Sequence, residues 1–286
     1  VEGTLDLTGG LDARKFEVAV RKLADSLGYG TDRSPYLGSG NEYVQSRPYQ
    51  SGDPVRAIDW RVTARTGRPF VKEYETPKQL PCHLVLDTSA SMTISSHPRS
   101  KYEVAVHLAG ALAFAALDRV APVGLVGAGG RDLRAEPSLS PAAVWRWLHL
   151  ARRFRYDEPT AVGRRLRDLA AQLRDRGHVV VLSDFHDPDA AAALRLLAQR
   201  HDCTAVHLLD PAERGLRGTG LMRGREAETG QTFVSHGRHA WADPGAVAAD
   251  LRGAGVDHLL VPTDRPFIAE VRSFLRTRSR LGRGAR

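Results

Sequence analysis

One carboxylate and two hydroxyls stand at alternate positions in Asp87-Thr88-Ser89-Ala90-Ser91. The spelling is D-x-S-x-S, and it follows the apolar run Leu84-Val85-Leu86, which reads as a buried strand. In an open α/β sheet, ligands bind outside the carboxyl ends of the strands. Alternate spacing points the three short oxygen-bearing side chains to a common place. Such oxygens are hard ligands, suited to Mg²⁺ rather than to zinc or copper. The same residues also describe a strand-to-helix turn whose serines cap the next helix. The pentapeptide alone leaves the two readings level.

A second acid arrives in the same way. His178-Val179-Val180-Val181-Leu182 reads as another buried strand and ends in Ser183-Asp184-Phe185. Between the two strands lies Glu158-Pro159-Thr160, ahead of the amphipathic stretch 161–176. The Thr160 hydroxyl is a candidate ligand or a simple N-cap. Taken together, D-x-S-x-S, Thr160 and Asp184 resemble the metal-ion-dependent adhesion site of von Willebrand factor A domains. The resemblance implies Mg²⁺, or Mn²⁺ in its place, bound by Ser89, Ser91 and Thr160, with Asp87 and Asp184 holding waters or the ion. One coordination position is then left for an acidic group of a partner.

These residues need elements to carry them. From Pro81 onward the pattern alternates strand and helix: strand 83–87, helix 101–119, strands 123–128 and 131–136, helices 141–151 and 161–176. Strand 178–183, helix 188–200, strand 203–209, helix 244–253, strand 257–261 and helix 265–278 follow. Such alternation predicts an α/β fold, a mostly parallel sheet with helices on both faces. Gly129-Gly130 reads as a tight hairpin joining one antiparallel edge strand. Residues 12–28 predict an amphipathic helix with Phe16, Val20, Leu23, Ala24 and Leu27 on one face. Residues 1–80 are expected to form a smaller β-rich N-terminal appendage, and 81–286 the main domain, with a polar, Gly-rich insertion near 211–240.

Composition narrows the function classes. Hydrophobic residues make up 42% of the 286, too many for a disordered chain. No apolar stretch approaches the roughly 20 residues that span a bilayer. The two cysteines, Cys82 and Cys203, lie in strand-like apolar runs and predict reduced core thiols of a cytoplasmic protein. The net charge of +8 gathers toward the C-terminus, at Arg276, Arg278, Arg280, Arg283 and Arg286. That cluster reads as a solvated helix end and tail, able to touch anionic lipid at the inner membrane. Aromatics do not interleave with it, so no specific nucleic-acid module is expected.

One further segment is distinctive. Arg47-Pro48-Tyr49-Gln50-Ser51-Gly52-Asp53, then Arg56, Ile58-Asp59-Trp60 and Ala64-Arg65, resembles the signature of the bacterial domain of unknown function 58 family. Asp210-Pro211-Ala212-Glu213 and Glu228-Thr229-Gly230 resemble further landmarks of that family. The resemblance runs from about Leu5 to Arg278 and implies a von Willebrand factor A-like domain after the signature. It also implies a partner, a MoxR-type AAA+ ATPase, beside which this chain would act as an adaptor or co-chaperone. The chain departs from the family pattern in carrying Pro159 where a glycine usually precedes the metal-site threonine. Within the signature, Asp53, Arg56, Asp59 and Arg65 can pair as a buried clamp anchored by Trp60, or form a docking face.

Three functions are weighed. A non-enzymatic, Mg²⁺-dependent protein-interaction module ranks first. A metal-dependent hydrolase of phosphate esters is the alternative. It would need a base or nucleophile beside the ion, and no His or Lys accompanies the two metal segments closely except His186. A nucleic-acid binder rests on net charge alone and ranks last. No G-x-x-x-x-G-K-[ST] is present, so the chain is not expected to be the ATPase itself.

Overall fold

A computed structural model of the chain describes residues 2–4, 13–28, 43–50, 53, 55, 58–74, 80–215, 220–225, 231–236 and 243–280. In chain order the elements are β1 (Glu2–Thr4), α1 (Ala13–Gly28), β2 (Tyr43–Pro48), α2 (Trp60–Thr66), β3 (Phe70–Tyr74), β4 (Cys82–Leu86) and α3 (Lys101–Leu117). Then come β5 (Val123–Gly127), β6 (Arg134–Ser138), α4 (Pro141–Ala151), β7 (Arg153–Arg155), α5 (Val162–Gln172), β8 (His178–Ser183), α6 (Ala190–Ala198) and β9 (Asp202–Leu209). The last are β10 (Leu221–Arg225), β11 (Thr232–His236), α7 (Pro244–Gly253), β12 (Asp257–Pro262) and α8 (Ile268–Arg280).

The central sheet has the order β12-β9-β8-β4-β5-β6. Every neighbouring pair is parallel except β5 with β6. Strand alternation sorts its side chains into two layers. Leu84, Leu86, Val180, Leu182, Val206 and Leu208 join one core with residues of α1, α3, α4 and α8. Val85, Val179, Val181 and Ala205 join the other with residues of α5 and α6. Both faces are covered, which is why these strands read as unbroken apolar runs. Helix α3 is apolar all round because it lies inside the first core.

Helix α1 presents the predicted stripe of Phe16, Val20, Leu23, Ala24 and Leu27 to that same core. Gly110 of α3 permits the contact, since a Cβ there would lie 2.8 Å from Val20 Cγ1. Arg272 Nε of α8 donates to Ser26 O at 2.7 Å. Helix α1 therefore packs in one hydrophobic core with elements beyond residue 80. Among the other described residues before position 80, β2 and β3 form an antiparallel ribbon beside α2, and β1 pairs with β7. The 211–240 segment holds a separate hairpin, β10–β11. Among the described residues no helix is long and apolar enough to cross a membrane.

The structure corrects several local expectations. Helix α2 was not expected; none of its residues is buried, so it has no apolar stripe to betray it. The Gly129-Gly130 hairpin is not a two-residue turn, because β6 starts at Arg134 and Gly127 N donates to Leu133 O across a longer connection. Nor is the arginine cluster wholly solvated. Arg278 is buried and bonds Asp202 and, at 2.6 Å, Asp257 Oδ2. Arg283, Arg286, Gly52, Arg56 and Glu228-Thr229-Gly230 lie outside the described residues. Cys82 and Cys203 are both free and buried, and burial pushes each thiol up to about 12.

Candidate functional site

Strands β4 and β8 are parallel neighbours in the register Leu86 with Leu182, so Asp87 comes level with Ser183 and Asp184 follows one position on. From β4 the chain passes to β5 on one flank and later returns to β8 on the other. The two acids thus flank the topological switch point, the usual ligand position of such sheets. Asp87 N still belongs to the ladder, donating to Leu182 O at 2.9 Å. Beyond Asp184 the backbone turns at Phe185, whose φ of 57° is left-handed, an uncommon state for a bulky residue. Ser183 Oγ steadies that turn by accepting from Phe185 N at 2.9 Å.

The side chains form one cluster. Asp87 Oδ1 accepts from Ser89 N at 3.0 Å, and Oδ2 accepts from Ser183 Oγ at 2.6 Å. Ser89 Oγ and Ser91 Oγ are 3.0 Å apart, and the Ser91 hydroxyl helps to lower the Asp184 carboxyl. All four of Asp87, Ser89, Ser91 and Asp184 are buried. Thr160 is half-buried in the next loop. That loop is fastened to the cluster by Ala90 N, which donates to Glu158 O at 2.7 Å, and to β5 by Ala161 N, which donates to Ala128 O at 3.0 Å. So four of the five expected ligands meet, and the fifth sits in the adjoining loop.

Burial raises the Asp87 carboxyl, and the charge of Asp184 raises it further, to about 7 against the hydrogen bonds from Ser183 and Ser89. Burial works most strongly to raise Asp184, but the Lys101 ammonium, His186 and hydrogen bonding from Lys101 and Ser91 together hold that carboxyl below its ordinary value. Sequence reasoning missed Lys101 altogether. It opens α3, is 1% exposed, and places Nζ 2.7 Å from Asp184 Oδ2 while also bonding Glu213. Glu213 comes from the turn after β9, a single 3₁₀ turn that Asp210 caps. Asp210 in turn accepts from Ser96 N at 2.8 Å and from Ser96 Oγ. The Asp210-to-Glu213 landmark therefore braces the site.

Glu158 was also missed. It is buried and accepts from Thr88 Oγ1 at 2.6 Å, Arg131 N at 3.0 Å and Arg131 Nε at 2.6 Å. This explains Gly129, where a Cβ would overlap both Glu158 Oε1 and Thr88 Oγ1. The glycine serves this close approach rather than a tight turn. Its neighbour Pro159 packs over Gly130, so the departure from the family pattern is accommodated.

The signature segment is built otherwise. Arg47 forms a two-pronged pair with Asp53, at 2.7 and 2.8 Å. Asp59 does not pair with Arg65; it caps α2 by accepting from Arg61 N and Val62 N, and it accepts from Ser46 Oγ at 2.7 Å. Trp60, the first residue of α2, which the clamp reading puts in the core, is 66% exposed.

Comparison with known proteins adds the following. The family described as "Protein of unknown function DUF58" matches residues 45–240. An uncharacterized protein of Mycobacterium tuberculosis is 31% identical over 284 residues, covering 93% of this chain and 89% of that protein. One of Mycobacterium bovis gives the same figures. A protein of Mycobacterium avium, also uncharacterized, is 33% identical over 117 residues, 37% of this chain and 69% of that one. A solved structure titled as an uncharacterized membrane spanning protein from Vibrio fischeri covers 68% of this chain and 96% of its own, at 13% identity and a TM-score of 0.21. A likeness that slight carries no argument.

Proposed function

This chain belongs to the DUF58 family, and from that premise we propose that it is a protein-interaction module, without catalytic chemistry of its own, on a von Willebrand factor A-like fold. Its site is the strand-end cluster, with Mg²⁺ or Mn²⁺ as the ion. The single observation that carries the reading is the meeting of Asp87, Ser89, Ser91 and Asp184 as buried oxygen donors at the ends of two adjacent strands. The donor set is all oxygen, as a hard divalent ion prefers. Charge agrees as well. Asp87, Asp184 and Glu213 against Lys101 leave two negative charges when all are ionised, which one divalent cation balances.

When bound, the ion supplies a fixed positive charge with a position open to a partner's carboxylate. The chain's own residues do the rest. Ser183 and the Ser89 amide orient Asp87, Lys101 holds Asp184, and Glu158 fastens the Thr160 loop beside them. A hydrolase would need an unengaged base or nucleophile next to the ion. Asp87 and Lys101 are each already committed to two partners, which favours binding over catalysis. The partner we infer is a MoxR-type AAA+ ATPase or its client, engaged through an acidic segment, in the cytoplasm or at the inner membrane's surface.

Calorimetry with Mg²⁺ tests the site. The unaltered protein is expected to bind one ion with modest affinity, since Mg²⁺ keeps several waters, and Asp87→Ala to lose it. Equal binding by both would remove the assignment. A pull-down of the ATPase that is unaffected by chelator would remove the metal-dependent part of the proposal.

A further inference from the structure

Lys101 occupies an unfavourable place. It is the first residue of α3, where the helix dipole disfavours a cation. It is also 1% exposed, and burial disfavours its charge further. What compensates is a specific set of groups. Its Nζ lies 2.7 Å from Asp184 Oδ2 and bonds Glu213 Oε1. The ring of His186 faces those same two oxygens, with Nδ1 3.6 Å from Asp184 Oδ2 and Nε2 3.8 Å from Glu213 Oε1.

Asp184, His186 and Glu213 therefore offer one donor atom each, all within 4.8 Å of one another. An imidazole with two carboxylates is the donor set of a transition-metal centre such as Zn²⁺, Co²⁺ or Mn²⁺. The ammonium sits on the two carboxylate oxygens that an ion would need. We propose that Lys101 is a built-in cation that fills this cluster, closes it to transition metals, and ties α3, the β8 end and the 211–214 turn together without any ion. The inference does not rest on Mg²⁺ binding at Asp87. Where Mg²⁺ does bind, it adds a consequence: by withdrawing this histidine-containing set, Lys101 leaves an incoming ion the oxygen donors around Asp87.

Cobalt is the probe, because its visible absorption reports nitrogen ligation and low coordination number. Titrations run in excess Mg²⁺ on the full chain, on Lys101→Met, on Lys101→Met with His186→Ala, and on His186→Ala alone. The unaltered protein is expected to show no histidine-dependent cobalt spectrum. Lys101→Met is expected to gain one equivalent of bound cobalt with a rise in melting midpoint, and the added His186→Ala to abolish both. A folded Lys101→Met that gains no cobalt overturns the proposal. If Lys101→Met does not fold, His186→Ala decides, since that side chain is partly exposed and its loss leaves the ammonium in place. Unchanged cobalt behaviour supports the closed cluster, whereas loss of a spectrum present in the unaltered protein shows the cluster open and overturns it. Repeating the titration in Asp87→Ala separates this outcome from failure of the Mg²⁺ site.

Discussion

Two acid-rich regions of this molecule treat the same residue type in opposite ways. At the strand ends, Asp87 is fully buried beside Asp184, and burial with that neighbouring charge pushes its carboxyl up to about 7. On the β2–β3 ribbon, Asp53 has the Arg47 guanidinium in two-pronged contact and the Gln50 amide beside it, and its carboxyl falls to about 2. The ribbon satisfies its acids from nearby chain, Asp53 from Arg47 and Gln50, and Asp59 from Ser46 and the first turn of α2. The parallel sheet instead gathers acids from distant segments into a place where they compete for one ammonium. Crowded charge at a sheet's switch point is a store of binding free energy for a cation or a donor-rich partner, whereas paired charge on a ribbon is only a fastener.

Three measurements can break or sharpen this contrast. The largest effect is expected at the strand ends. Asp184→Ala leaves the buried Lys101 with Glu213 alone, and breaking a buried pair costs about 3–5 kcal/mol. Urea denaturation should show that loss as a lower midpoint. A change under about 1 kcal/mol would mean that the cluster is no more consequential than a surface pair. Next is Asp59→Ala on the ribbon, where α2 loses its cap and Ser46 its acceptor. The melting midpoint should fall by about 2–4 °C, the usual consequence of a lost N-cap in a domain of this size. A much larger fall would show the ribbon acid to be as consequential as the strand-end ones. The smallest effect belongs to Asp53. Its carboxyl is lowered in the folded chain, so its contribution is present above about pH 4 and is lost as pH falls toward 2. Asp53→Asn should therefore lower stability slightly at neutral pH and flatten the acid limb, the difference from the unaltered protein closing as pH falls from about 4 toward 2. An unchanged acid limb would remove the Arg47 pair from the argument.

The sheet and its helices were legible because the inner strands β4, β8 and β9 are buried along their whole length and the helices that cover them carry apolar patterns. Strand β8 and helix α4 fall where the periodicity puts them. What escaped notice had no such pattern. Helix α2 is seven residues with no buried side chain, and β1 and β7 are three residues each. At the site, Asp87, Ser89, Ser91 and Asp184 were visible as strand-end oxygens. Lys101 was not, because a lysine before an apolar helix looks like a solvated cap. A signal was nevertheless present: a cation at a helix N-terminus works against the dipole, which asks for a reason. Glu158 was read only as a loop residue, and nothing local reveals that it is shared between Thr88 and Arg131, 70 and 27 positions away.

The meeting of α1 with α8 has a consequence for how the molecule is made. Arg272 reaches the carbonyl of Ser26 across 246 positions of chain. During synthesis the first helix leaves the ribosome with its stripe of Phe16, Val20, Leu23 and Leu27 bare. Helix α3 covers one side first, and the other waits the 246 positions to α8. At a few to about twenty residues per second, that exposure lasts on the order of ten seconds or more. The flank of α1 that α8 covers therefore stays bare through that interval, when a holding chaperone would find it.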